Sequence, residues 1–259
     1  MKYGCCITID DYELAEKLGF DYIELAGKKV CSYDDKEFGE LVYKINNARL
    51  PCLGFNAYCP PEIIIAGPNF DIEKARSYAS LCAARAAILG VKKIGIGSPN
   101  SRNLPDDFSR DLAIEQTVEF FKATAEEFAK YNIIVCVEAL GKCYCNFINS
   151  VEEAVALAEK IDMSNVKIVL DFYNMEHENE ADMDLKPIIK YVAHAHISDD
   201  DNGPLRRYFL RSEKSDLHKR RVKKLRELGY NDCISLEIDL PVNAVLASQS
   251  LALLKQACE

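Results

Sequence analysis

Histidine is scarce. Among 259 residues only His177, His194, His196 and His218 occur, which leaves little room for a His-rich metal cluster. Twelve glycines and nine prolines are too few for a repetitive or linker-dominated chain. No run approaches the roughly 18 consecutive apolar residues of a membrane span, so no membrane partner is expected. The N-terminal stretch MKYGCCITIDDYELAEKLGF lacks the apolar core of a secretory signal. Positive charge is also in deficit: 32 Lys and Arg stand against 41 Asp and Glu, a formal net charge of −9. Such a balance argues against a protein whose main task is to grip a phosphate backbone, and no nucleic-acid partner is expected.

Cysteine, by contrast, is abundant. Eleven cysteines, an odd number in a chain far longer than a disulfide-stapled secreted domain, read as reduced and mostly buried side chains of a cytoplasmic protein. Cys5-Cys6 and Cys143-x-Cys145 are the only suggestive spacings, and neither is joined by the second pair that a structural zinc site requires. With 49% hydrophobic and 28% charged residues, the composition is that of one soluble globular protein. The length suits a single α/β domain over 1–259, since a (β/α)8 barrel uses about 250 residues.

Short apolar runs alternate with amphipathic ones from end to end. Strands are expected over Lys2 to Thr8, Tyr22 to Leu25, Cys52 to Asn56, Lys93 to Gly97, Ile133 to Leu140, Val166 to Phe172, Val192 to Ser198 and Cys233 to Ile238. Helices are expected over Asp11 to Leu18, Lys36 to Ala48, Ile72 to Leu89, Leu112 to Tyr131, Val151 to Ile161, Leu185 to Lys190, Leu217 to Leu228 and Val242 to Ala257. Asp71 and Ser150 read as N-caps, and Gly19, Gly90 and Gly229 each follow the last apolar residue of a helix. The phrases LGFDYIEL, LGVKKIGI and LGYNDCISLEI each turn a helix end directly into a strand. Eight such βα units, with no Gly-rich first turn, favour a (β/α)8 TIM barrel over an open doubly wound sheet. Function is then expected where the strands end.

Those ends are acidic. Strand 2 ends in Glu24, strand 5 in Glu138, strand 6 in Asp171, strand 7 in His196 and strand 8 in Glu237. Each acid follows an apolar run, and a buried carboxylate is costly unless it is paired, hydrogen-bonded or bound to a metal. Strands 5 to 8 supply almost no Lys or Arg to pair with them. Glu138, Asp171, His196 and Glu237 therefore read as the O and N ligands of one divalent ion (Mn²⁺, Mg²⁺, Co²⁺ or Zn²⁺), with structural ion pairing as the alternative. His194 shares the face of His196 and reads as a buried partner of the site, and Cys136, Val169 and Ser235 line the lumen below. His177 and His218 read as solvated, as does the basic run Lys214 to Arg226.

These motifs resemble the sugar isomerase/epimerase superfamily of xylose-isomerase-like barrels, in particular ketose 3-epimerases and inosose-processing enzymes. The resemblance runs through IELAG, VEAL with Asn146-Phe147, VLDFYNM, HAHISD and SLEID. It implies Glu138, Asp171, His196 and Glu237 as metal ligands, with Glu138 and Glu237 as the acid/base pair on opposite faces of the substrate. The chain departs from the ketose 3-epimerases at Tyr144, where they carry Glu, and at Asn174, where they carry His. It also lacks an Arg soon after the strand 7 His and reaches arginine only at Arg206 and Arg207.

The implied chemistry is removal of a proton beside the carbonyl of a hydroxy-ketone sugar or keto-polyol, through a metal-stabilised enediolate. Return of the proton gives epimerisation or isomerisation, and loss of a β-substituent gives dehydration or lyase chemistry. Glu24, Asn56, Arg102, Lys142, Asn174, His194 and Arg206 are the candidate substrate-binding residues, with a solvated-loop or buried structural role as the alternative for several. A partner-dependent or non-catalytic sugar-binding barrel, and a homo-oligomer, stay open. An abasic-site endonuclease is disfavoured, because strands 3 and 4 end in Asn56 and Gly97 without histidine.

Overall fold

In the computed structural model, which describes residues 1–203, 205–239 and 241–257, eight apolar runs form the strands of a closed parallel barrel. They are β1 (Lys2–Cys6), β2 (Tyr22–Ala26), β3 (Cys52–Asn56), β4 (Lys93–Ile96), β5 (Ile134–Glu138), β6 (Val166–Asp171), β7 (Val192–Ile197) and β8 (Cys233–Leu236). Each pairs with its neighbour in sequence, and β8 closes on β1 with Lys2 opposite Cys233. Closure leaves no free sheet edge. An antiparallel ribbon of Asp199–Asp200 and Arg207–Tyr208 projects from the end of β7.

Helices cover the outside: α1 (Tyr12–Leu18), α2 (Gly27–Ser32), α3 (Asp35–Asn46), α4 (Ile72–Ile88), α5 (Arg110–Ala129), α6 (Val151–Ile161), α7 (Phe172–His177), α8 (Ser215–Glu227) and α9 (Ala244–Gln256). Their starts are chemically marked. The Asp71 carboxylate accepts from the Glu73 and Lys74 amides, and Ser150 forms a reciprocal capping box with Glu153. Gly19 ends α1 at φ 83°, a left-handed conformation that glycine adopts without a Cβ penalty.

Two expectations need correction. The helix over Leu185 to Lys190 does not form: Pro187 has no N–H to donate, and only a 3-10 turn at Ile189–Tyr191 appears. The helix of that unit is α7 instead, which starts at the strand end because the Asp171 carboxylate caps the Tyr173 and Asn174 amides. The short α2, which follows β2 directly, was not expected from the sequence.

Alternation along the strands divides the interior in two. Residues such as Ile94, Val135, Val137, Ile168, Leu170, Ala195, Ile234 and Leu236 face the helices and build the main core. Cys136, Val169 and Ala193 form a separate small cluster inside the barrel. At the opposite end from the strand-end acids, Lys93 is buried and donates to the Ala193 carbonyl at 2.8 Å, and it pairs with Asp232 at 2.8 Å. Of the eleven cysteines, ten lie among the described residues, all free and eight of them buried; Cys258 lies outside the described residues.

Glycine on the inner face makes room for polar side chains. A Cβ at Gly54 would stand 2.7 Å from Glu24 Cγ and 2.8 Å from its carboxyl carbon. Gly54→Ala should therefore force Glu24 aside at a cost of about 1–3 kcal/mol, lowering Tm by roughly 3–10 °C in a thermal melt. An unchanged melt would show that Glu24 moves freely and is not wedged in place.

Candidate active site

The ends of β5, β6, β7 and β8 bring Glu138, Asp171, His196 and Glu237 together. One potential ligand atom from each lies within 4.8 Å of the others. His196 Nδ1 stands 3.2 Å from Glu237 Oε2 and 3.6 Å from Glu138 Oε1. All three atoms are buried, and His196 Nδ1 and Glu138 Oε1 have no hydrogen-bond partner. Carboxylates and an imidazole turned toward one another at this range are the disposition of groups able to share a cation, and three carboxylates with one imidazole fit a divalent metal. Close approach is needed here too: a Cβ on Gly97 would lie 2.6 Å from Glu138 Oε2.

Behind the cluster runs a buried polar chain. His196 Nε2 faces Glu24 Oε2 at 3.4 Å, and Glu24 Oε1 bonds His194 Nε2 at 2.6 Å. Glu24 also accepts from the Ser235 hydroxyl, which in turn bonds Tyr22 Oη at 2.6 Å. A proton on Nε2 lets His196 donate to Glu24, while Nδ1 faces the carboxylates and would serve as a metal ligand only after giving up its own proton. Glu24, a candidate for binding substrate hydroxyls, is thus placed beneath His196, and so is His194.

Arg207 enters from the ribbon. Its guanidinium lies 2.7 Å from Asp171 Oδ2 and 3.0 Å from Glu237 Oε2, and it stacks over the Tyr173 ring at 4.6 Å. Arg206, the arginine expected at the site, is exposed and pairs with Asp201. Pairing of Asp200 with Arg207 and Asp199 with Tyr208 sets this choice, because adjacent strand residues point to opposite sides. Asp199 anchors the segment: its Oδ2 accepts from the Arg211 amide at 2.7 Å and from His218 Nε2 at 2.9 Å. Lys214 Nζ lies 3.4 Å from Asp199 Oδ1.

The charges interact strongly. Burial raises the Glu138 carboxyl to about 7, with help from Glu237 and Asp171 and opposition from His196. Burial would also raise Asp171, but the Arg207 charge overrides it and holds Asp171 at about 2. Glu237 is likewise held below the ordinary range, against its burial, by Arg207 and His196. Burial alone would lower His196, yet Glu237 and Glu24 push it well above the usual imidazole range.

The other expected residues lie elsewhere. Asn174 is buried, and its amide donates to the Ala139 carbonyl at 3.0 Å and to Asp171 at 2.9 Å, so it braces a carboxylate. Arg102 is buried and donates to the Ile148 carbonyl at 3.4 Å. It sits where the loops after β4 and β5 are clasped by reciprocal bonds between Asn146 and Leu104, each 2.8 Å. Lys142 is exposed and paired with Glu178 at 3.0 Å. Asn56 ends β3 half-buried. The histidines expected to be solvated are not: His218 is buried on Asp199, and His177 is half-buried with its ring 4.5 Å from Tyr173. Arg221 in the basic run is buried as well. Helical spacing of His218 with the buried Val222 and Leu225 was the available signal. Nothing in the local pattern marked Arg207 over Arg206.

The family described as the xylose isomerase-like TIM barrel matches residues 12–257, and the chain belongs to it. A D-psicose 3-epimerase of Ruminiclostridium cellulolyticum is 26% identical over 194 residues, 72% of this chain and 65% of that enzyme, so the match spans less than two thirds of the relative. An inosose isomerase of Bacillus velezensis is 25% identical over 258 residues, 89% of this chain and 83% of the relative. Among solved structures, an L-ribulose 3-epimerase superposes with a TM-score of 0.81 at 17% identity, covering 99% of this chain and 95% of the other. The IolI protein, crystallised with a zinc atom, covers 100% and 96% at a TM-score of 0.66 and 19% identity.

Asp199 provides a test of the anchor. Its carboxylate is held below the ordinary aspartate range, because the contacts from His218, the Arg211 amide and Lys214 outweigh burial. A depressed folded value contributes stability above the unfolded value and loses it as pH falls through the folded one. Asp199→Asn should cost about 2–4 kcal/mol near neutral pH, and its Tm deficit against wild type should shrink as pH falls below the ordinary aspartate range. A deficit independent of pH would show that the charge is not what matters.

Proposed function

We propose that the protein is a divalent-metal-dependent sugar isomerase or epimerase acting on a hydroxy-ketone sugar or keto-polyol. The observation that carries this reading is the convergence of Glu138, Asp171, His196 and Glu237 on one point, with Glu138 Oε1 and His196 Nδ1 buried there without a hydrogen-bond partner. These four residues would hold the ion. When bound, such an ion supplies a Lewis acid that polarises the substrate carbonyl and offsets the negative charge that follows loss of the neighbouring proton.

The chain's own groups do the rest. Glu237 and Glu138 come from different strands, so one can take a proton from the carbon beside the carbonyl and the other can return one. Glu24 fixes the His196 ring from below, and Asn174 and the Tyr173 amide hold Asp171 in orientation. Arg207 is the cationic side chain placed to meet a substrate oxygen, and Tyr173 beneath it limits its swing. Asn174 stands where ketose 3-epimerases carry a substrate-binding histidine and is wholly engaged with protein groups. Recognition of the distal hydroxyls therefore differs from theirs.

Protein purified without chelator should contain about one divalent ion per chain by elemental analysis, and Glu237→Gln should reduce it. Chelation should lower Tm by roughly 5–10 °C through loss of binding free energy. Absence of bound metal, with no affinity for Mn²⁺, Mg²⁺, Co²⁺ or Zn²⁺, would sink the metal reading.

Substrates should be found by NMR in D₂O with ketoses, keto-inositols and 3-keto-glycosides. Deuterium entering beside the carbonyl, abolished in Glu138→Gln and Glu237→Gln, is the expected result. An unsaturated product would make the enzyme a lyase. A metal-loaded protein inert to the whole panel would overturn the isomerase reading in favour of a binding or partner-dependent barrel.

A further inference from the structure

The outer helical layer is thinnest between β6 and β7. There α7 has six residues, against 11 in α6 and 13 in α8. A helix of ordinary length would pack against α8; the irregular segment that replaces it leaves a cavity of about 490 Å³ on the α8 face. Phe172, Met175, Met183, Leu185 and Leu217 give it an apolar wall, and α8 contributes Arg220, Arg221, Lys223 and Lys224. Cavities of roughly 300–1,000 Å³ with few convergent polar groups are the usual size of small-molecule sites.

Arg221 is the distinctive member, only 5% exposed. One terminal nitrogen donates to Glu176 Oε2 at 2.9 Å, and the guanidinium lies over the Phe172 ring at 5.2 Å. Its Nε and its other terminal nitrogen are buried with no hydrogen-bond partner. The cavity also holds acids, but two are engaged. Glu227 pairs with Lys223 at 3.9 Å, and Asp184 accepts from the Lys186 amide at 3.1 Å. Asp182 is exposed. Arg220 and Lys224 carry no ion pair among the described residues. A fixed, partly unpaired guanidinium flanked by two free cations is a receptor for an anionic head, because charge-assisted bonds to carboxylate or phosphate are the strong ones.

We propose that this cavity binds an organic anion, a carboxylate or phosphate group on a short apolar body. The head sits on Arg221, Arg220 and Lys224, and the body lies between Met175, Met183 and Leu217. The site is on the outer wall of the barrel, apart from the strand-end cluster, and does not depend on the reading of that cluster.

The chain has only four methionines, Met1, Met163, Met175 and Met183, so methionine methyl labelling reports the cavity directly. Titration of the labelled full chain with phenyl phosphate and with benzoate should shift the Met175 and Met183 methyl signals saturably and leave Met163 in place. The better probe identifies the head group, and inorganic phosphate should bind at least about tenfold more weakly than that probe. Arg220→Ala with Lys224→Ala, both exposed positions, should weaken binding about tenfold without changing the melt. Arg221→Met should abolish it while keeping the apolar volume. Three results would each overturn the proposal: no movement of Met175 and Met183 up to about 10 mM probe, an equal response of Met163, or unchanged affinity in the Arg220/Lys224 double variant.

Discussion

Glu24, Glu138, Asp171 and Glu237 crowd one end of a barrel whose walls are otherwise apolar, and three of them are buried almost completely. Each buried ion carries a desolvation penalty that only close opposite charge and hydrogen bonds can offset. The fold answers with two cations at short range. His196 lies between Glu24 on one side and Glu138 with Glu237 on the other, and Arg207 bridges Asp171 and Glu237. Glu138 Oε1 still has no hydrogen-bond partner, and four carboxylates face only these two cations, an imbalance that the proposed divalent ion would offset.

Much of the surrounding structure keeps this arrangement in place. Inner-face glycines on β3 and just beyond β4 leave room for Glu24 and Glu138. Ser235 and Tyr22 complete the bonding of Glu24 from below. The ribbon that carries Arg207 is held from outside by Asp199, which gathers His218, the Arg211 amide and Lys214. An outer helix thereby supports an inner guanidinium through one buried aspartate. The same outer wall is incomplete beside α7, where brevity of the helix opens a cavity lined by the cationic face of α8.

Legibility in the sequence followed the range of the interactions involved. The alternation of apolar runs and amphipathic segments carries the barrel, since each strand buried on both faces must be an unbroken apolar stretch. An acid closing such a stretch stands out, which is why Glu138, Asp171 and Glu237 could be named before any coordinates. The sequence also marks Asn174 and Glu24, but as groups facing a substrate. The bonds of Asn174 to the Ala139 carbonyl and of Glu24 to His196 join segments far apart in the chain and leave no local trace. Pro187 was visible and still outweighed by an apolar pattern too short to make a helix.

By itself, the sequence determined the eight βα units, the parallel barrel and the set of acids and histidine at its carboxyl end. These rest on local patterning and on the rule that consecutive βα units wind in one direction. Only the tertiary structure decided which charges meet. Arg207 and not Arg206 reaches the carboxylates, His218 is buried on Asp199, and Arg221 turns inward with two nitrogens unpaired. Each of these depends on how a ribbon or a helix packs against residues distant in the chain, and electrostatic energy is set by those through-space distances.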